Sequence, residues 1–202
     1  ISIQINKGES LGIVGESGAG KSTFINLLLG LLKPTNGKIK VDNCDINENI
    51  QAWRNNIGFV PQNIYLIDDT IRRNIALGVP DDEINEDKIN KALSLSQMSE
   101  FINNLKTGLD TIVGERGTRL SGGQLQRIGV ARALYHDPQV IVMDEATSSL
   151  DYKTEDLLIK SIRKLKGIKT IILISHRSNS LEFCDKIITF ENGKIIRTDQ
   201  KK

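Results

Sequence analysis

Apolar and polar residues alternate at the start of the chain, with Ile1, Ile3 and Ile5 separated by Ser2 and Gln4. This is the period of a half-buried strand. A Lys7-Gly8-Glu9 turn leads to the apolar run Leu11–Val14, a second predicted strand. After a glycine-rich stretch, "FINLLLGLL" predicts an apolar helix ending before Pro34. Lys38–Val41 and Ile57–Val60 read as strands. From about Tyr65 to Leu134 the pattern changes to helical segments and polar loops. Strand character returns in "VIVMDE" (Val140–Glu145), "TIILISH" (Thr170–His176) and "KIITF" (Lys186–Phe190). The Asn192-Gly193 pair ahead of Lys194–Ile196 then signals a hairpin.

Short apolar runs such as Val140–Met143 and Ile171–Ile174 suit parallel strands covered on both faces. A helical pattern over Asp156–Lys166 lies between two of them. The predicted class is α/β, with a mostly parallel sheet, a small antiparallel portion and an inserted α-helical subdomain. The expected division is a core of 1–64 and 135–202, with the helical part at 65–134, in one domain of 202 residues.

Composition changes this picture little. Hydrophobic residues at 39% and charged residues at 26% are ordinary for a soluble globular domain. The 27 basic and 25 acidic residues are spread along the chain, so no nucleic acid and no anionic lipid is expected as main partner. No apolar run approaches the roughly 20 residues needed to cross a bilayer. Cys44 and Cys184 stand 140 positions apart and outside any CxxC pattern. They read as small buried apolar residues in a reduced compartment. The chain starts at Ile1, without methionine and inside an alternating segment, and reads as a piece of something longer.

Two motifs carry chemistry. "GESGAGKST" spans Gly15, Glu16, Ser17, Gly18, Ala19, Gly20, Lys21, Ser22 and Thr23, between a predicted strand and a predicted helix. Its glycines let the backbone wrap a phosphate with N–H groups pointing inward. Lys21 is then placed to reach the β- and γ-phosphates, and the Ser22 hydroxyl to ligate Mg²⁺. In "VIVMDEATSSLD" a buried strand ends on Asp144 and Glu145. Alternation along a strand predicts that these carboxylates point to opposite faces and do different work. Asp144 is expected to hold Mg²⁺ through its water shell, and Glu145 to polarise an attacking water. Together the motifs indicate a P-loop NTPase.

A second anion-binding design lies at "LSGGQLQRIGVARAL", where Ser121, Gly122, Gly123 and Gln124 open a helical pattern. The P-loop, this stretch, "VIVMDE" with its following "SSLD", Gln62 in "VPQ" and His176 in "ISH" occur in one order. Over essentially the whole chain this resembles the nucleotide-binding domain of ABC transporters. The resemblance implies that Ser121, Gly122, Gly123 and Gln124 form a signature loop facing the P-loop of a second such domain. Two domains, expected as a head-to-tail homodimer, would sandwich two ATP molecules. Gln62 resembles the glutamine that contacts Mg²⁺ and the catalytic water. His176 resembles the switch histidine at the γ-phosphate, and Asp151 the aspartate that meets the opposite P-loop. His136 matches no functional position.

"TIVGERG" (Thr111–Gly117) resembles the loop by which exporters touch their transmembrane domains. The implied setting is the cytoplasmic face of the plasma membrane, with ATP hydrolysis driving export or flipping. Translation-associated or chromosome-associated soluble ATPases of the family are the alternative. The latter separate the two motifs by a long coiled coil, whereas Lys21 and Ser121 are 100 residues apart. The family also places an adenine-stacking aromatic residue about two dozen positions before the P-loop. Only 14 positions precede Gly15, so that residue is expected upstream of Ile1.

Overall fold

The computed structural model describes residues 1–200. In chain order the first elements are β1 (Ser10–Gly15), α1 (Lys21–Leu28), β2 (Lys40–Val41), β3 (Cys44–Asp45), α2 (Ile50–Asn55) and β4 (Ile57–Val60). Four helices follow: α3 (Ile71–Ile75), α4 (Glu86–Leu95), α5 (Ser99–Asn103) and α6 (Gly122–Tyr135). The chain then runs through β5 (Val140–Asp144), α7 (Tyr152–Arg163), β6 (Thr170–Ile174), α8 (Ser178–Leu181), β7 (Lys186–Glu191) and β8 (Lys194–Gln200).

The apolar runs form the centre of a six-stranded sheet in the order β4-β5-β6-β1-β7-β8. All neighbours are parallel except β7 and β8, joined through Asn192 and Gly193 with φ 46 and φ 74. Positive φ at both central residues is the turn geometry that matches strand twist. Both faces of the sheet are covered. On one, Ile141, Met143 and Ile171 pack with Ile71, Ile89, Ile128 and Leu158 from the helices. On the other, Val142, Ile172 and Ile174 pack with Leu11, Ile13 and Ile25. Successive residues of β5 therefore feed different cores, as continuous apolar strands require.

Several expectations change. No strand forms at Ile1–Ile5 among the described residues. Ile3 and Ile5 pack partly buried against the Leu11 side of the core, and the Gln4 carbonyl accepts from Lys186 Nζ at 2.8 Å. Alternation supplies a packing face, but a strand also needs a neighbour to hydrogen-bond. The helix after the P-loop ends at Leu28, well short of Pro34. Gly30 takes φ 65 there, with Gly30 N donating to Leu27 O and Leu31 N to Asn26 O. These are the two bonds of a Schellman stop, which favours glycine at this point. Trp53 Nε1 and Arg54 donate to the carbonyls of Leu28, Leu29 and Gly30, so α2 finishes the cap.

The predicted strand at Lys38–Val41 shortens to β2 and pairs antiparallel with β3 across Asp42 and Asn43, both at positive φ. Cys44 lies exposed on this small hairpin, away from either core, while Cys184 is buried as expected. Strands β5 and β6 stop at Asp144 and Ile174, which leaves Glu145 and His176 in loops.

Candidate functional site

Four adjacent parallel strands, β4, β5, β6 and β1, release their chains at the same edge of the sheet. Gln62 follows β4, Glu145 follows β5, His176 follows β6 and the glycine loop follows β1. This carboxyl edge is where open α/β sheets bind ligands. Gly15 leaves β1 at φ 155, and a Cβ there would stand 2.5 Å from the Phe190 carbonyl oxygen. The loop is closed by Ala19 N donating to Glu16 O, and its back is tied to the hairpin by Gly193 N donating to Ala19 O.

Lys21 is 8% exposed, and its Nζ donates to Gly15 O at 2.5 Å and Glu16 O at 2.8 Å. Carbonyls rather than a carboxylate hold the ammonium, so its charge is not neutralised locally. Helix α1 begins at this lysine with no side-chain cap and no acidic residue in its first turn. Its first N–H groups and the helix dipole remain available to an anion.

A cleft of about 390 Å³ is lined by Ser17, Gly18, Gly20, Lys21, Ser22 and Thr23 on one side. Gln62, Asp144, Glu145 and His176 line the other. Gly15, Glu16 and Ala19 face a second cleft behind the loop, together with Phe190 and Ile196. The opposite-face expectation for Asp144 and Glu145 is corrected. Glu145 lies past the strand at φ 48, and this left-handed turn brings its carboxylate into the same cleft as Asp144. Gln62 Nε2 donates to Glu145 Oε2 at 2.8 Å, and His176 Nε2 lies 3.1 Å from Glu145 Oε1. Burial pushes the Asp144 carboxyl above the usual range; the Glu145 carboxylate adds to this and Lys21 opposes it.

Asp144 and Glu145 set two carboxylates in one cleft, a concentration of charge that a divalent cation would offset. A cation beside Asp144 would relieve the repulsion that Glu145 imposes, and the Ser22 hydroxyl and Gln62 amide are oxygen donors in the same cleft. Among the described residues no group of three or more His, Cys, Asp or Glu is suited to hold a metal alone. One carboxylate and one hydroxyl, completed by phosphate oxygens, is the sparse donor set that Mg²⁺ accepts. The residues fit the ion.

Ser121 caps α6, its side chain accepting from Gln124 N at 3.2 Å while Gln124 Oε1 accepts from Ser121 N at 2.9 Å. This reciprocal box satisfies two backbone N–H groups at the start of α6, where Ser121 and Gly122 are exposed. Gly122 lines a separate groove with Gln62, Ile64, Gln126 and Ser149. Neither it nor Ser121, Gly123, Gln124 or Asp151 lines the P-loop cleft. Asp151 caps α7 by accepting from Thr154, which holds its carboxyl below the usual range. Thr111–Gly117 is tied to the segment after Gln62, through Ile71 N donating to Thr111 O and Val113 N to Asp69 O.

Sequence reasoning missed two supports. Glu155, buried on α7, accepts from the Thr147 hydroxyl at 2.8 Å, from the Ser180 hydroxyl at 2.7 Å and from Arg177. Gln126, buried on α6, bonds to the loop that carries Glu145. The available signal was phase, since Gln126 is polar yet in helical register with buried Val130 and Ala133.

A phosphate cradle after β1 facing an acidic strand end on β5, with parallel β6 between them, defines a P-loop nucleotide-binding domain. The sequence model of the family described as ABC transporter matches residues 1–148. The leukotoxin translocation ATP-binding protein LktB of Mannheimia glucosida is 42% identical over 197 residues, covering 97% of this chain and 28% of its own length. YgaD of Bacillus subtilis (strain 168), named as a candidate multidrug export ATP-binding/permease protein, is 40% identical over 197 residues, 97% of this chain and 34% of its own. A solved bacterial Atm1-family ABC exporter with ATP bound superposes with a TM-score of 0.92 at 36% identity. That match covers 99% of this chain and 35% of the exporter chain. The chain belongs to the ABC transporter family. It spans about a third of the length of these relatives.

Proposed function

We propose that this chain is the ATP-binding and ATP-hydrolysing module of an ABC exporter. The observation that carries the reading is the Glu145 carboxylate, held between Gln62 and His176 in the cleft that Lys21 closes. In this reading the loop from Gly15 to Thr23 cradles the phosphates, and Lys21 meets the β- and γ-phosphates. Ser22, Gln62 and Asp144 hold Mg²⁺, which supplies charge neutralisation on the phosphate oxygens. Glu145 accepts the proton of the attacking water, Gln62 orients that water, and His176 contacts the γ-phosphate.

Ser121, Gly122, Gly123 and Gln124 lie outside the cleft of their own chain, which supports a role at the phosphate of a second copy. Asp151 would face that partner's P-loop. Two copies related head to tail would enclose two ATP molecules. The core 1–64 and 135–202 would carry the nucleotide, while 65–134 would carry the signature and, through Thr111–Gly117, meet transmembrane domains at the cytoplasmic face. No helix among the described residues is long and apolar enough to cross a membrane, so the spanning part belongs to other domains. The export and translocation names of the relatives favour this reading over a soluble ATPase of the same family.

The test is ATP hydrolysis and binding by the parent chain and by Lys21→Ala. Loss of a charge-assisted contact of about 1.5–3 kcal/mol weakens ATP by roughly 10- to 150-fold and abolishes measurable turnover. AMP, which lacks the β- and γ-phosphates, is expected to bind both chains alike. Equal ATP affinity in the two chains would remove the P-loop assignment.

A further inference from the structure

Gln126 lies on α6, five residues past Ser121, and is 2% exposed. Its amide serves two partners on the loop after β5. Nε2 donates to the Glu145 backbone oxygen at 3.4 Å, and Oε1 accepts from Ser149 N at 3.1 Å and from the Ser149 hydroxyl. The Ser149 Oγ also lies 3.4 Å from the Gly122 carbonyl at the start of α6. Glu145 itself is at φ 48, a conformation that an L-residue keeps only when its surroundings hold it. Its N–H is fixed by Ile174 O at 3.0 Å, and its carbonyl takes Ser148 N as well as Gln126.

The geometry points to Gln126 as the positioning residue for Glu145. We infer that it transmits the placement of the α6 N-terminus to the carboxylate of the same chain. The inference rests on the proposed function, in which Ser121 meets a partner's phosphate and Glu145 serves the chain's own ATP. Engagement of one site would then set the hydrolytic competence of the other. Gln126 does not line the P-loop cleft, so it takes no direct part in the chemistry. It orients the peptide from which the general base projects.

Two substitutions separate this role from packing. Gln126→Met keeps the volume and removes every bond. Gln126→Glu is nearly isosteric and keeps acceptors for Ser149, but it replaces the amide donor to Glu145 by a buried carboxyl group. Each is expected to lower kcat by roughly 100-fold, the scale of a small misplacement of a catalytic group, with ATP affinity unchanged. Combined with Glu145→Gln, neither should slow the residual turnover further, because the carboxylate it positions is already gone. If Gln126→Met does not fold, Gln126→Glu carries the test alone. Parental kcat in Gln126→Glu would overturn the inference. So would an equal fold-loss in the Glu145→Gln background, which would mark a general structural effect. A parent chain that fails to hydrolyse ATP would overturn the functional reading along with this one.

Discussion

Glu145 occupies the left-handed region at φ 48, a placement that costs an L-residue about 1–2 kcal/mol. The return is position: the turn swings its carboxylate off the strand line and into the cleft with Asp144. Gln62 donates to one carboxylate oxygen and His176 approaches the other, so the group is held in the cleft from both sides. Glu145→Gln keeps the shape and removes the basicity. Turnover should fall by roughly 100- to 10,000-fold, the span of general-base contributions, while ATP binding persists. A long-lived ATP-bound dimer should then appear by light scattering. Hydrolysis at the parental rate would show that Glu145 is not the base. The residue types at this site were legible in the sequence because glycines, a lysine and an acidic pair recur at fixed spacing. The direction of Glu145 was not, since strand alternation says nothing about where a strand stops.

At Gly58 strand β4 brings its backbone close against helix α6. A Cβ on Gly58 would stand 2.3 Å from the Ala133 carbonyl oxygen and 2.7 Å from Pro138 Cγ. That approach fixes the distance between the helix bearing the signature and the strand leading to Gln62. Gly58→Ala should overpack the contact at a cost of about 1–3 kcal/mol. At about 2–4 °C per kcal/mol for a domain of this size, calorimetry should register a Tm several degrees lower. An unchanged Tm would mean the helix–strand spacing yields freely. At this scale the sequence was read best where period and punctuation agree. Ile57–Val60 matches β4, and Asn192-Gly193 is the turn it promised. The Asp42–Asn43 turn was missed because it contains no glycine, although both residues tolerate positive φ. The end of α1 was misplaced because Pro34 is a conspicuous stop, whereas the Schellman bonds at Gly30 act earlier.

In the whole molecule, one sheet divides two cores and gathers its chemistry along one edge. That arrangement was legible because doubly covered parallel strands leave continuous apolar runs. The destination of the second anion site was not derivable from spacing alone, since Ser121 and Lys21 are set on different parts of one surface and meet only across two chains in the proposed assembly. The composite site is the central claim, and mixing two inactive variants tests it. Ser121→Arg spoils the signature and spares the P-loop; Lys21→Ala does the reverse. In a mixed dimer one site inherits both defects and the other neither. With half the dimers mixed and each holding one intact site, an equimolar mixture should recover up to roughly a quarter of the parental ATPase rate. Each variant alone should stay inactive. A mixture that neither recovers turnover nor forms ATP-dependent mixed dimers would contradict the account, because it would show that no site is shared between two chains.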